Sequence, residues 1–152
     1  MNTFKTLSLG TKLVLIAGPL LFLGLFFTWQ NLEVEYGAAG TAKLPQDGWD
    51  SWGLLIGVLT IGTVTLVVLR HLTEVTMSED VPWETVVLGL GATTFLLAVF
   101  KSLTDADSSW ASYVFVAFAG ALAAGTYLLR AETRVDETPL LKRAKRKVSP
   151  TA

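Results

Sequence analysis

The chain has 152 residues, of which 51% are hydrophobic and 16% are charged, with a formal net charge of −1 and a mean hydropathy of +0.51. Because a soluble domain usually carries about 25% charged residues, this composition argues against a water-soluble globule, and its hydrophobicity excludes a disordered chain. The absence of cysteine excludes disulfides, thiol nucleophiles and cysteine-ligated metal centres. The apolar residues are grouped in long blocks, which predicts an integral membrane protein.

Four segments are long and apolar enough to cross a bilayer, which requires about 20 mostly apolar residues. They cover residues 13–29, 52–69, 83–103 and 110–129. The third is the weakest, because it contains Glu84 and Lys101, although both lie near its ends, where their side chains could snorkel to the membrane interfaces. A re-entrant or buried third segment is the alternative. The sequence thus predicts an all-α membrane protein, an antiparallel four-helix transmembrane bundle over residues 1–130, followed by a basic cytoplasmic tail over residues 131–152.

The loop after the first segment has an alternating polar and apolar pattern from Asn31 to Tyr36, which is typical of a half-buried strand. Residues 37–40 are rich in glycine and can turn the chain, so that residues 41–44 return as a second strand. We therefore expect a small β-hairpin in this loop. The alternative is an irregular loop.

Lysine and arginine are concentrated near the two ends of the chain. Lys5 and Lys12 precede the first segment, and seven basic residues follow the fourth segment, starting at Arg130. Basic flanks mark the cytoplasmic side, so we expect a multi-pass protein of the cell (inner) membrane with both termini in the cytoplasm. The two lysines also fit a signal peptide, but the first apolar run is longer than the usual signal core of about 7–15 residues.

The densest basic run, here called the basic tail cluster, consists of Lys142, Arg143, Lys145, Arg146 and Lys147. Near an anionic inner leaflet, each such charge contributes on the order of 1 kcal/mol to membrane binding. We expect this cluster to bind anionic lipid headgroups. We expect no nucleic-acid partner, because a tethered tail meets phospholipid first.

Small residues recur at four-residue spacing in the second and fourth segments, a pattern that lets helices approach closely. These candidate helix-packing positions are Gly53, Gly57, Ala117, Ala121 and Gly125. These residues either pack helices against each other within the chain or form an interface. Such an interface would join copies of this chain in a homo-oligomer or join the chain to another membrane protein. Leu122 and Leu129 are expected to face lipid or looser packing.

Few groups in the sequence can support catalysis. His71 is the only histidine, and a serine nucleophile motif such as G-x-S-x-G is absent from the sequence. No ionisable residue falls near the middle of a predicted span, which counts against a proton-coupled transporter or pump. We therefore expect no enzyme activity, no cofactor and no metal. We expect the acidic residues of the outer loops to form a solvated surface. The alternative is that Asp105 and Asp107 supply oxygen ligands to a hard cation.

With the segments placed, the chain resembles the small four-helix membrane proteins of unknown function that are found in actinobacteria. The resemblance covers residues 10–130, and it includes a first span ending in Phe27-Thr28-Trp29 and an aromatic, acidic entry to the second span, Gly48-Trp49-Asp50-Ser51-Trp52-Gly53. It implies a location and a topology but no activity. The sequence favours a non-enzymatic structural or accessory membrane subunit. A small transporter or channel component formed by oligomerisation is the alternative.

Overall fold

The computed structural model describes residues 7–73, 80–105 and 108–148, with side chains at all of these positions except 39 and 135–148. The elements in chain order are α1 (Leu9–Gly24), β1 (Thr28–Glu35), β2 (Thr41–Asp47), α2 (Ser51–Leu72), α3 (Trp83–Thr104) and α4 (Trp110–Val148). The two strands form one antiparallel sheet. The prediction of a mostly helical chain with four helices and a small β-hairpin is confirmed.

Within the described ranges, three helices are long and apolar enough to cross a membrane: α2, α3 and the part of α4 over Trp110–Arg134. Helix α1 has 16 residues and ends at Gly24, although the apolar run that predicted it continues to residue 29. Backbone N–H groups of Leu25, Phe26 and Phe27 bond to carbonyls three residues earlier, which tightens the last turn. The chain then enters β1, where Trp29 is still fully buried. The apolar run in the sequence continues past the end of α1 because a buried residue on a strand is as apolar as a buried residue on a helix.

Helix α4 continues well beyond the fourth predicted span. Its backbone is helical to Val148, so the helix extends into the predicted tail. Alanine, glutamate, leucine, lysine and arginine dominate this stretch, and all five are strong helix formers. The basic tail cluster lies on this helical backbone, and its side chains lie outside the described ones.

The four helices form a ring in which α1 and α3 each pack against both α2 and α4. Neighbouring helices run antiparallel. At one end of the ring, Gly24 of α1 lies against Phe115 of α4, and at the other end Gly10 lies against Leu129. The core between them is apolar and includes Val14, Leu21, Ile56, Ala98, Ala119 and Leu122. We call the end that carries the β-hairpin the hairpin end, and the end where α1 begins the basal end.

Threonines are buried along the helix contacts, and their hydroxyls are satisfied within their own helices. Thr60, Thr63 and Thr94 each donate to the carbonyl oxygen four residues earlier, at 2.7–2.8 Å. Thr126 donates to the carbonyl of Ala123 at 2.8 Å. A hydroxyl that bonds its own helix costs little to bury, so these residues act as packing groups.

The hairpin is joined to the helices at its base. The strands pair from Thr28↔Asp47 to Glu35↔Thr41, and Gly37 and Gly40 adopt φ values of 59° and 94° in the connection, which glycine tolerates best. At the base, the carbonyl of Trp29 accepts the N–H of Ser109 at 2.8 Å. This bond ties β1 to the start of α4 and places Trp29 above the helix core.

Candidate functional site

The hairpin end contains a buried group of charges, here called the ion cluster, formed by Lys101, Asp50 and Asp105. The Lys101 ammonium donates a hydrogen bond to Asp50 Oδ2 at 2.5 Å and lies 2.9 Å from Asp105 Oδ2. The second contact is an ion pair without hydrogen-bond geometry, so Asp105 Oδ2 is buried without a hydrogen bond among the described residues. The Lys101 side chain is 0% exposed and that of Asp105 is 7% exposed. One cation and two carboxylates give the cluster a formal charge of −1.

Helix ends bring the ion cluster together. Asp50 is the N-cap of α2, where its Oδ1 accepts the N–H of Gly53 at 2.8 Å and its Oδ2 remains available to Lys101. Lys101 lies in the last turn of α3, and Asp105 is the C-cap of that helix. The Asp50 carboxylate at a helix N-terminus and the Lys101 ammonium at a helix C-terminus both interact favourably with the helix dipoles, whereas the Asp105 carboxylate at the C-terminus of α3 is unfavourable there and is compensated by the Lys101 ammonium. The same contacts therefore stabilise two helix ends and join α2 to α3.

Trp29 forms the wall of the ion cluster. The Lys101 ammonium lies 5.5 Å from the centroid of the Trp29 ring, within the range of a cation–π interaction. The indole N–H donates to the carbonyl of Gly24 at 2.9 Å, and the ring stacks on Phe115 with a centroid distance of 5.9 Å. Because Trp29 is on β1, the cluster links the hairpin with α1, α3 and α4.

The prediction that Lys101 snorkels to an interface is wrong, because its ammonium turns inward to two carboxylates. The prediction of a solvated acidic surface is also wrong for Asp105, which is buried against the same ammonium. Asp107 lies outside the described residues. Asp50 and Lys101 are 51 positions apart, so only the packing of α2 on α3 reveals the pair. The sequence did contain one signal for this pair. Lys101 lies near the end of the third apolar segment, which in an antiparallel arrangement is next to the start of the second segment, where Asp50 lies.

The basal end carries a second polar site. Arg70 at the end of α2 donates to Glu84 in the first turn of α3, which joins the two helices there. Beside this pair is a cavity of about 580 Å³, here called the basal pocket. It is lined by Ser8, His71, Leu128, Leu129, Ala131, Glu132 and Thr133. A smaller cavity of about 130 Å³ shares Thr133 with it and is also lined by Glu84, Thr85, Arg130 and Arg134.

The polar groups of the basal pocket are mainly hydrogen-bond acceptors. His71 Nδ1 lies 3.2 Å from the carbonyl oxygen of Val67, and a carbonyl only accepts, so Nδ1 carries a proton; in the neutral form of the ring, Nε2 is then an acceptor. Glu132 adds a carboxylate. The Thr133 hydroxyl donates to the carbonyl of Leu129 at 3.0 Å, which leaves its lone pairs as acceptors. The sequence identified His71 as the only histidine but did not place it in a pocket.

The two glycines of α2 that were selected as packing candidates lie at close approaches. A Cβ at Gly53 would lie 1.4 Å from the carbonyl oxygen of Gly48. A Cβ at Gly57 would lie 3.1 Å from Leu25 Cδ1. Neither position has room for a larger side chain without movement of its neighbours.

The three candidates of α4 lie in different environments. A Cβ at Gly125 would lie 3.0 Å from Leu13 Cβ on α1, whereas Ala121 is half-buried and Ala117 is exposed. Residues four apart drift by about 40° around a helix at each step, so a stripe at this spacing leaves the contact face. Leu122 and Leu129 are buried, and the expectation that they face lipid or looser packing is wrong.

The described residues contain no group of three or more histidine, aspartate or glutamate side chains arranged to hold a metal ion. The chain matches no protein-family model, no curated protein and no solved structure. The resemblance to small actinobacterial membrane proteins therefore stays a prediction.

Proposed function

We propose that this protein is a non-enzymatic integral membrane protein that acts as a structural or accessory subunit. In this proposal the four helices cross the cell membrane as an antiparallel bundle, with the hairpin end outside and both termini in the cytoplasm. The observation that carries the proposal is the separation of polar and apolar surface. Charged side chains of the described residues collect at the hairpin end and the basal end, and the helix surfaces between them are apolar.

The outward faces of the helices support a lipid environment. Large apolar side chains are exposed on all four helices, among them Ile16, Leu23, Val58, Ile61, Leu96, Leu103, Tyr113 and Tyr127. Removing such a side chain from water is worth about 1.5–3 kcal/mol, and monomeric soluble proteins rarely expose large contiguous apolar patches. Contact with lipid would remove these exposed side chains from water over the whole outer surface of the helices.

Helix α1 is the shortest of the four helices, with 16 residues. At about 1.5 Å per residue it spans about 24 Å, less than a hydrocarbon core of about 30 Å. The apolar turn at residues 25–27 and the buried Trp29 continue the apolar surface beyond its end. In the proposal, these residues span the part of the hydrocarbon core that α1 does not reach.

The interior favours a structural role over a transporter. Between the two ends, the described core is filled by apolar side chains, and the buried threonine hydroxyls bond their own helices. A transport path requires polar groups that face one another or a cavity across the membrane. In the described part of a single copy, the charged groups are confined to the ends.

Fractionation and reporter insertion test the membrane location and the topology. We expect the protein to remain in membranes after alkaline carbonate extraction. A reporter that works only in the cytoplasm should be active when fused after Ala152 and inactive when inserted at Ala39, in the hairpin connection. Release by carbonate, or reporter activity at Ala39, would contradict the proposal.

Purification in mild detergent tests the accessory role. We expect mass spectrometry of the purified material to show a membrane protein partner or a homo-oligomer at fixed stoichiometry. Reconstituted liposomes should show no more ion or solute flux than empty liposomes. Flux that depends on the protein would replace the structural role with the transporter or channel alternative.

A further inference from the structure

We infer that the basal pocket binds a primary ammonium group, and that the ethanolamine headgroup of a membrane phospholipid supplies it. The choice of a lipid as the source rests on the proposed membrane location. The choice of an ammonium group rests only on the residues of the pocket.

The size and the walls of the pocket fit an amphiphile. Its volume of about 580 Å³ lies within the range of about 300–1,000 Å³ that is typical of small-molecule sites. The lining combines the apolar side chains of Leu128, Leu129 and Ala131 with the polar side chains of Ser8, His71 and Glu132. A molecule with one polar head and an apolar stem matches both kinds of lining side chain.

The hydrogen-bonding groups select a cation with N–H donors. Glu132 brings negative charge, and His71 Nε2 and the lone pairs of Thr133 are acceptors. A primary ammonium offers three N–H donors and a positive charge, so it can satisfy several of these acceptors at once. A quaternary choline headgroup has the charge but no N–H donor, and an anionic headgroup would be repelled by Glu132.

The neighbouring cavity favours a phospholipid over a free amine. Arg130, Arg134, Thr85 and Glu84 line this smaller cavity, which shares Thr133 with the basal pocket. The Glu84 carboxylate is paired with Arg70, so the two arginines are the cations that the cavity offers. Arginine is well suited to bind phosphate oxygens, and in an ethanolamine phospholipid the phosphate is two carbons away from the ammonium. The two cavities thus offer acceptors for the amine and cations for the phosphate, side by side at the basal end.

Native mass spectrometry of the detergent-purified protein tests the inference. Phosphatidylethanolamine, phosphatidylcholine and phosphatidylglycerol with identical acyl chains are added at equal concentration, and the fraction of protein that retains each lipid is measured. We expect phosphatidylethanolamine to be retained about tenfold better than phosphatidylcholine, the effect of one charge-assisted hydrogen bond. Glu132→Gln should remove this preference.

Two further variants control for folding and location. Ala131→Phe fills the pocket and should lower retention of phosphatidylethanolamine without removing a charge. Glu33→Gln, on the exposed hairpin at the opposite end, should leave retention unchanged. Thermal unfolding of each variant shows whether it is folded. Equal retention of phosphatidylethanolamine and phosphatidylcholine by the folded wild-type protein would overturn the inference, as would an unchanged preference in folded Glu132→Gln.

Free ethanolamine separates the two sources of the ammonium group. If the lipid is the ligand, a millimolar excess of ethanolamine should leave most of the phosphatidylethanolamine bound. Saturable, Glu132-dependent binding of ethanolamine without retention of the phospholipid would overturn the lipid source. Carbonate extraction, in contrast, tests only the membrane location, so failure of that proposal is distinguishable from failure of the pocket.

Discussion

Replacing Lys101 with methionine should destabilise the protein more than any other single change of charge among the described residues. Methionine has an unbranched side chain of similar length, so the substitution removes the ammonium while largely filling the space. Lys101 is fully buried, and it contacts both carboxylates of the ion cluster. The variant therefore isolates the effect of the buried charge.

The size of the effect follows from the two carboxylates that remain. Asp50 Oδ2 and Asp105 Oδ2 lie 2.5 Å and 2.9 Å from the same ammonium nitrogen, so they face each other across the space that it leaves. Removing one partner of a buried ion pair typically costs about 3–5 kcal/mol, because the other charge stays buried without compensation. We expect Lys101→Met to lower the free energy of unfolding by about this amount.

A neutral version of the cluster provides the internal test. Replacing a buried ion group with hydrophobic groups of similar volume is often neutral for stability, and asparagine removes the charge of each aspartate while keeping its shape and its capacity for hydrogen bonds. The triple variant Lys101→Met, Asp50→Asn and Asp105→Asn should therefore recover most of the lost stability. Asparagine is as good an N-cap as aspartate, so the bond to the N–H of Gly53 should be kept.

Unfolding in mixed micelles by increasing sodium dodecyl sulfate, followed by tryptophan fluorescence, measures these differences. Trp29 lies beside Lys101 and should report disruption at the hairpin end. The matched control is Lys43→Met in the hairpin, where the Lys43 ammonium lies 3.3 Å from Glu33 and both side chains are more than half exposed. Exposed pairs contribute about 0–1 kcal/mol. A loss in Lys101→Met no larger than in Lys43→Met, or a triple variant as unstable as the single one, would refute the reasoning.

Three other predictions concern packing and the tail. Gly53→Ala should lose about 1–3 kcal/mol of unfolding free energy, because its Cβ would lie 1.4 Å from a backbone oxygen, whereas Gly62→Ala on the same helix has open space around its Cβ and should gain up to about 1 kcal/mol. Gly125→Leu should lose about 1–3 kcal/mol against α1, and Ala117→Leu on the exposed face should change stability by less than about 0.5 kcal/mol. Equal effects within either pair would contradict the packing. Glutamine at all five positions of the basic tail cluster should weaken binding of a tail peptide to anionic vesicles, by about 1 kcal/mol per residue; vesicle binding that is insensitive to salt would refute the electrostatic account.

The sequence by itself determined the elements. Long apolar runs with few charges predicted four helices, and alternation followed by glycine predicted the hairpin; the structure has both. These signals are local, because a helix or a strand shows its period within a few turns of chain. The predicted end of the first helix was five residues too late, because the chain stays buried and apolar where it changes from helix to strand. Trp29 on β1 is as buried as any residue of α1.

Tertiary structure alone decided which residues meet. Lys101 was expected at an interface and is instead buried between two carboxylates, because the end of α3 lies against the start of α2. Ala117 and Leu122 both fit a membrane helix, and only the position of α1 beside α4 makes the first exposed and the second buried. The basal pocket is formed by the start of α1, the end of α2 and the middle of α4, which are far apart in the chain. Hydropathy records how apolar a segment is, but the partner of a charge and the face of a helix are set by neighbours that the linear pattern does not contain.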